Sequence, residues 1–283
     1  MSKVFLSTAA FNKDSGADTA VQYLKNGITK VELSGGIYLE NQIEIIKNIK
    51  NVEFNLHNYF PPPKIPFVIN LASQNEKILK RTEDHLKNLI ELASYLNLKT
   101  YSFHAGFVVD IKPNEIGKTT KTNIFADREQ ALNTFINRLE KISNYANEKK
   151  IELLIENNVM KKSSYDFLKK NTTIMSEPDE IEFVMEKSPN NINLLLDVAH
   201  LKVSSNILKF DLDNAFKKID KWVRAYHLSD NDGENDSNEQ IKENSWFLNK
   251  LKSDAFFYTV EVYNKEISLL KNQLQIVEKN LKL

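Results

Sequence analysis

The chain holds only five histidines, and four of them arrive where a run of alternating or apolar residues gives out: His57 closing VEFNLH, His104 in TYSFHAG, His200 just past INLLLD, and His227 in VRAYHLSD. Carboxylates follow the same habit, with Glu32 late in KVELSG, Glu156 at the end of IELLIE, Asp197 at the end of INLLLD, and Glu261 inside TVEV. Imidazoles and carboxylates are the side chains that ligate divalent metals and carry protons. A lone carboxylate at the end of an apolar strand costs several kcal/mol to bury unless it is paired or bound to a cation. A set of such groups at the same end of successive strands therefore implies a metal centre. With no cysteine in the chain, that centre has only nitrogen and oxygen ligands to draw on.

Taken one at a time, each residue has a plainer explanation. A strand-end histidine is often a hydrogen-bonded core residue, Asp197 can cap a following helix, and Glu32 can pair with a lysine. Asp230, Asp232 and Asp236 in SDNDGENDS fit an ordinary Asx-rich turn around Gly233 as well as a binding loop. His85, in the charged stretch RTEDHLK, reads as a solvated helix residue. It is the joint placement of the others that unrelated core residues would not produce.

These side chains can meet only if the runs that end in them lie side by side. Short β-branched or apolar runs recur as VFLSTA, KVELSG, VEFNLHN, TYSFHAG, IELLIEN, INLLLDVAH, VRAYHLSD and FFYTVEVY. Helical patterns, with apolar residues at three- and four-residue steps, separate them, among them LENQIEIIKNIK, LKRTEDHLKNLIELASYL, REQALNTFINRLEKISNYA, DNAFKKIDKW and ISLLKNQLQIVEKNL. Strict alternation of this kind predicts an α/β chain folded as a (β/α)8 TIM barrel, one domain over residues 1–283. An open doubly wound sheet is disfavoured because VFLSTAAFNKDSG offers no Gly-rich phosphate turn after the first strand. The two long excursions, NYFPPPKIPFVINLASQ and FVVDIKPNEIGKTTKTNIFAD, follow strands three and four. In a barrel they lie on the face where active sites are built, as a lid or a substrate wall.

Composition narrows the partners. At 283 residues, 41% hydrophobic and 27% charged, the chain can bury a sizeable core. No window approaches the roughly 18 consecutive apolar residues of a membrane span, and MSKVFLSTAA lacks the charged-then-apolar layout of a signal peptide. The expected setting is the cytoplasm, with no membrane partner. The 38 basic and 38 acidic side chains cancel, which argues against a nucleic-acid partner, since duplex binding favours a basic excess. The closing stretch ISLLKNQLQIVEKNL suits the barrel exterior, or the interface of a homo-oligomer.

Together LLIEN, LLLDVAH, YHLSDNDG and TVEV resemble the xylose isomerase-like TIM barrel superfamily, which contains sugar and sugar phosphate isomerases and epimerases and the endonuclease IV repair enzymes. The likeness spans nearly the whole chain. For the epimerase type it implies one divalent ion on Glu156, Asp197, His227 and Glu261, with His200 binding substrate. The stretch around INLAS, followed by FHAG, resembles the endonuclease IV branch, which implies a second metal at His57 and His104 with Glu156 as the bridge. That branch's third metal uses residues like His200 and Asp236 and a further histidine, where this chain has Asn238; its DGxHDDH pattern reads DGENDSN here, and the Gly-Glu-Gly that follows has become KEN. The epimerases, for their part, often carry an arginine where Gly233 stands and an acid where this chain reads NNVMKK.

A divalent metal in such a site acts as a Lewis acid on the carbonyl and hydroxyl oxygens of a sugar and stabilises the enediolate formed when the adjacent C–H loses its proton. Glu156 and Glu261 are then the catalytic pair that removes and returns the proton. His200, Glu32, Asp230 and Asp236 are the candidate substrate contacts. Three carboxylates and one imidazole suit Mn2+ or Mg2+, whereas adding His57 and His104 shifts the preference toward Zn2+ or iron. The expected activity is that of a metal-dependent sugar or sugar phosphate isomerase or epimerase with a small-molecule carbohydrate substrate. The alternative is an endonuclease IV-like AP endonuclease or phosphodiesterase. A third reading is a dehydratase or carbohydrate-binding barrel.

Overall fold

Every one of the apolar runs forms a strand: β1 (Val4–Ser7), β2 (Lys30–Ser34), β3 (Glu53–His57), β4 (Thr100–His104), β5 (Glu152–Glu156), β6 (Ile192–Asp197), β7 (Val223–Leu228) and β8 (Phe257–Val260). In this computed structural model, which describes residues 3–11 and 13–282, neighbouring strands pair in parallel and in sequence order. The ring closes through β1 and β8. The chain is the expected TIM barrel.

Strand alternation sorts the side chains into layers. Phe5, Leu154, Leu195, Ala225 and Phe257, from five different strands, form a buried cluster of their own inside the ring. The alternate positions, such as Leu6, Leu153, Ile155, Leu196 and Tyr226, join the main core beneath the helices. Two residues beyond each member of the inner cluster, on the same face of the same strand, stand Ser7, Glu156, Asp197, His227 and Thr259, all buried. Register aligns the rest of the layer: Ser34 pairs with His57, His104 with Glu156, and Asp197 with His227. The histidines and acids picked out from the sequence thus share one end of the barrel because period-2 geometry leaves them nowhere else to point.

The helices are α1 (Gly16–Lys25), α2 (Gln42–Asn48), α3 (Glu76–Tyr95), α4 (Arg128–Glu148), α5 (Lys162–Leu168), α6 (Pro178–Lys187), α7 (Val198–Leu208), α8 (Leu212–Ile219) and α9 (Ile267–Leu281). Side-chain oxygens of Ser15, Asn75, Asp127, Asp197 and Asp211 cap α1, α3, α4, α7 and α8, satisfying amides that would otherwise lack partners. Among the described residues no helix is long and apolar enough to cross a membrane.

The two long excursions are bound to one another and to the barrel. Asn70, buried, donates through Nδ2 to the carbonyls of Phe107 and Val109 and to Asp110, while its Oδ1 accepts from the amides of Ala72 and Phe107. Gly106 permits this approach: a Cβ there would sit 2.7 Å from Asn70 Oδ1. Asn158 similarly donates to the carbonyls of Ala105, Gly106 and Ile174. One expectation fails here. His85 is not solvated: its ring packs against Tyr59 and Phe67, with centroids 5.7 and 5.2 Å away, and its Nε2 is buried without a hydrogen-bond partner. The helix face it occupies is covered by the long β3–α3 loop, which local charge around RTEDHLK could not reveal.

Candidate active site

Glu156 sits at the centre of four imidazoles. Its Oε2 lies 3.2 Å from His57 Nε2 and 3.3 Å from His104 Nδ1, and its Oε1 lies 3.3 Å from His200 Nδ1 and 3.5 Å from His227 Nδ1. Two ligand groups share it. Glu156, Asp197, His227 and Glu261 offer atoms that all lie within 4.8 Å of one another, and so do His57, His104 and Glu156. Both oxygens of Glu156, together with His104 Nδ1 and His227 Nδ1, are buried and form no hydrogen bond. Buried polar atoms that converge without bonding one another are the kind that a cation or ordered water satisfies. The donor set therefore fits divalent metal, with oxygen-rich and imidazole-rich halves meeting at one carboxylate.

Neighbouring groups aim these ligands. His227 turns Nε2 toward Glu32, 3.0 Å away, and so frees Nδ1 for the cluster, where Glu261 lies 3.1 Å off. Thr259 donates to the same Glu32 carboxylate at 2.9 Å. His57 sets its Nδ1 against the Ser102 hydroxyl at 3.0 Å, leaving Nε2 for Glu156. This is the arrangement by which a carboxylate or hydroxyl behind a metal-binding imidazole fixes its tautomer. Asp197 does two jobs: Oδ1 accepts from the His200 amide at 2.7 Å as the cap of α7, while the residue also belongs to the ligand group. Asn157, which sequence reasoning passed over, clamps its backbone, accepting from Asp197 N–H at 2.8 Å and donating to its carbonyl at 3.1 Å.

The charges reflect who faces whom. Burial depresses the imidazoles of His57 and His104. Burial also works against the charged form of Glu156, but His104, His227 and His57 outweigh it and hold the carboxyl well below the usual carboxylate range. His227 is the reverse case: despite burial, Glu32, Glu156 and Glu261 hold it well above the usual imidazole range. His200 is likewise raised, with Asp197 and Asp236 overcoming burial. Burial pushes Asp197 up to about 7, against the pull of His200, and raises Glu261 against the pull of His227.

The remaining candidates separate. Glu32 is fully buried behind His227, so its contact is with the imidazole. Asp230 takes Lys202 Nζ and the Ser245 hydroxyl, each at 2.7 Å, and pins the loop after β7. Asp236 faces His200 Nε2 at 3.6 Å. Asn238 directs its amide to the Glu261 carbonyl at 3.0 Å, and among the described residues His200 and Asp236 form no third group of three ligands. Gly233 holds a left-handed backbone (φ 82°), and a Cβ there would lie 2.1 Å from Asn206 Nδ2. A side chain at that position would strain the backbone and displace the Asn206 amide.

Above the cluster lies a cavity of about 400 Å3 whose inner wall carries His104, His200, Asp236 and Glu261, with Tyr59 and Ile69 from the β3–α3 loop. Tyr263, two residues past Glu261, also lines it. No sequence motif marks Tyr263; only the β8 register brings it here.

An eight-stranded parallel barrel with a carboxylate–imidazole cluster at the carboxyl ends of its strands defines a TIM-barrel protein with a metal-suited mouth. The model of the xylose isomerase-like TIM barrel family matches residues 24–281, and the chain belongs to that family. An uncharacterized protein of Methanocaldococcus jannaschii is 25% identical over 275 residues, covering 94% of each chain. Apurinic-apyrimidinic endonuclease 1 of Plasmodium falciparum is 26% identical over 243 residues, which is 79% of this chain but 36% of that protein. Among solved structures, a D-tagatose 3-epimerase-like protein superposes with a TM-score of 0.73 at 18% identity, covering 99% of this chain and 97% of that one; at that identity the likeness is one of fold.

Proposed function

We propose that the protein is a divalent-metal-dependent sugar or sugar phosphate isomerase or epimerase, moving a proton at the carbon beside a carbonyl. The observation that carries this reading is geometric: Glu156, Asp197, His227 and Glu261 offer ligand atoms within 4.8 Å of one another, and Glu261 also lines the cavity where a substrate would lie. A bound divalent ion supplies Lewis acidity toward the sugar oxygens, and Glu156, Asp197, His227 and Glu261 are the residues that hold it. Glu261 lines the cavity, so it takes the proton and, in an isomerisation, returns it; in an epimerisation Glu156 is the second group, delivering a proton to the opposite face. Glu32 keeps His227 in one tautomer, and His200 Nδ1 is committed to the Asn157 carbonyl at 2.9 Å, which leaves Nε2 toward the cavity side. The epimerase-like structural neighbour agrees with this reading.

The test is solvent deuterium exchange into a panel of ketoses, aldoses and their phosphates with Mn2+ present. Exchange is expected in at least one, and Glu261→Gln abolishes it even with enough Mn2+ supplied to load the variant fully, since the amide keeps an oxygen ligand but cannot accept a proton. Exchange retained in the metal-loaded variant overturns the mechanism.

A second reading, phosphodiester hydrolysis, is favoured by one observation, the additional group formed by His57, His104 and Glu156, and by the likeness to an AP endonuclease. Charge neutrality and the commitment of Asn238 to the Glu261 carbonyl oppose it. Incision of an abasic-site duplex at physiological salt, lost in His104→Ala, would put this reading first.

A further inference from the structure

Proton transfer at Glu261 uses only the inner wall of the cavity. The same cavity is also lined by Lys118, from the loop after β4, and Lys161, from the loop after β5. Near them the Thr120 amide donates to the hydroxyl of Ser164, in α5, at 2.9 Å, and Asn158 joins the same two loops by donating to the carbonyls of Ala105 and Gly106. Thr120 is two residues from Lys118 and Ser164 three from Lys161, and both lysines line the cavity.

Other lysines in these loops have partners. Lys162 pairs with Glu234 at 2.9 Å and Lys202 with Asp230 at 2.7 Å, whereas among the described residues neither Lys118 nor Lys161 forms an ion pair. The acid that lines the wall beside Lys118 is already spent. Glu115 folds its carboxylate back into its own loop, accepting from the amides of Lys112, Lys121 and Thr122 and from the Thr122 hydroxyl at 2.8–3.2 Å. Lys161 meanwhile is half-buried and acts on the interior: with His200 it holds the Asp236 carboxyl below its ordinary range against burial. Two ammonium groups that line one cavity without an ion-pair partner suit an anion that reaches from one to the other.

We infer that this edge is an anion subsite and that the substrate is a phosphorylated sugar, its phosphoryl oxygens held by Lys118 and Lys161 while its carbonyl end meets Glu261. The sugar end rests on the proton-transfer reading above; the anion end does not. A phosphoryl group fixed at a distance from the reacting carbon supplies binding energy that positions that carbon. Lysine suits the task as a mobile point charge.

The test measures binding without turnover. Metal-loaded protein is titrated calorimetrically with D-fructose 6-phosphate and D-ribulose 5-phosphate, each against its unphosphorylated ketose, and with an abasic-site duplex. At least one phosphorylated sugar is expected to bind about tenfold or more tightly than its partner, the scale of one charge-assisted contact. The Lys118→Gln/Lys161→Gln double variant loses that preference with an unchanged melting temperature, and Lys162→Gln, whose partner is Glu234, keeps it. No preference in the parent protein, or a preference that survives the double variant, overturns the subsite. So does tighter binding of the duplex that falls with the same two lysines, because the amines then serve a phosphodiester. Exchange of deuterium into free sugars alone would leave the proton-transfer mechanism standing while removing the subsite. Phosphate preference without exchange would do the opposite.

Discussion

Phe5, Leu154, Leu195, Ala225 and Phe257 close the barrel interior, and Ser7, Glu156, Asp197, His227 and Thr259 stand two residues later on the same five strands. Both layers are buried and both are placed by the same alternation, yet they stabilise the fold to opposite degrees. A buried leucine contributes about 1.5–3 kcal/mol relative to leaving it in water, and Phe5 and Phe257 add an edge-to-face contact with centroids 5.9 Å apart. In the polar layer, burial, with Glu156 and Asp236 adding to it, drives Asp197 up to about 7, and both oxygens of Glu156 lack a hydrogen bond. The lower layer holds the barrel closed; the upper one is held in place by it, at a cost to stability that binding a cation would offset. Chemistry-bearing layers drawn from a rigid barrel in this way need no flexible loop to assemble them.

The largest effect that this contrast predicts is a loss of function without a loss of fold. Asp197→Asn keeps an oxygen to cap α7, because asparagine is as good an N-cap as aspartate, but it removes one anion from the ligand group. Metal affinity should fall by about a hundredfold or more, the scale that even an outer-shell partner can reach, and turnover with it. The melting temperature in chelator should not fall, since a carboxyl that resists ionisation has been replaced by a neutral amide. Equal metal by elemental analysis in both proteins, or a marked drop in melting temperature, would erase the division between the two layers.

Next in size is the reciprocal change. Leu154→Ala opens a cavity in the inner cluster and should lower the unfolding free energy by about 2–5 kcal/mol in urea, while metal per chain stays that of the parent. A variant that loses its metal at full stability would mean that the apolar layer positions Glu156 far more tightly than packing alone requires.

Much of this architecture was legible because the signals are local. Eight apolar runs ending in His57, His104, Glu156, Asp197, His227 or other polar residues fix both the strands and the end of the barrel they share, since a two-residue period leaves no freedom in direction. What sequence could not reach depends on long-range contact. Asn70 reads as one more loop asparagine until the β4–α4 loop closes over it. Asp230 and Asp236 sit in one Asx-rich stretch, yet one is taken by Lys202 and Ser245 and the other faces His200. Glu32 and Glu261 both come late on strands, and only the packing of His227 between them shows that one orients the imidazole and the other faces the cavity. Tyr263 and Lys161 carry no motif at all.

His85 belongs to neither layer, and it offers the smallest and most separable test. Burial, with Arg81 adding to it, depresses its imidazole from 6.5 to about 4, so the folded protein keeps it neutral while the unfolded chain protonates it near its ordinary value. Its contribution is therefore fully present above pH 6.5 and is lost as pH falls toward about 4, where the unfolded state binds a proton that the folded state does not. A shift of that size is worth up to about 3 kcal/mol, less whatever solvent at the half-buried ring screens. His200 and His227, whose imidazoles are held up, push the other way, losing stability as pH rises. Because they are common to both proteins, the difference between parent and His85→Phe isolates the one ring, and phenylalanine still packs against Tyr59 and Phe67. Urea unfolding at pH 7.5, 5.5 and 4.5 should show the parent losing stability on acidification faster than the variant. Parallel curves would mean that water reaches His85 and that the β3–α3 loop, which carries Tyr59 and Ile69 to the cavity wall, is less firmly seated than the barrel beneath it.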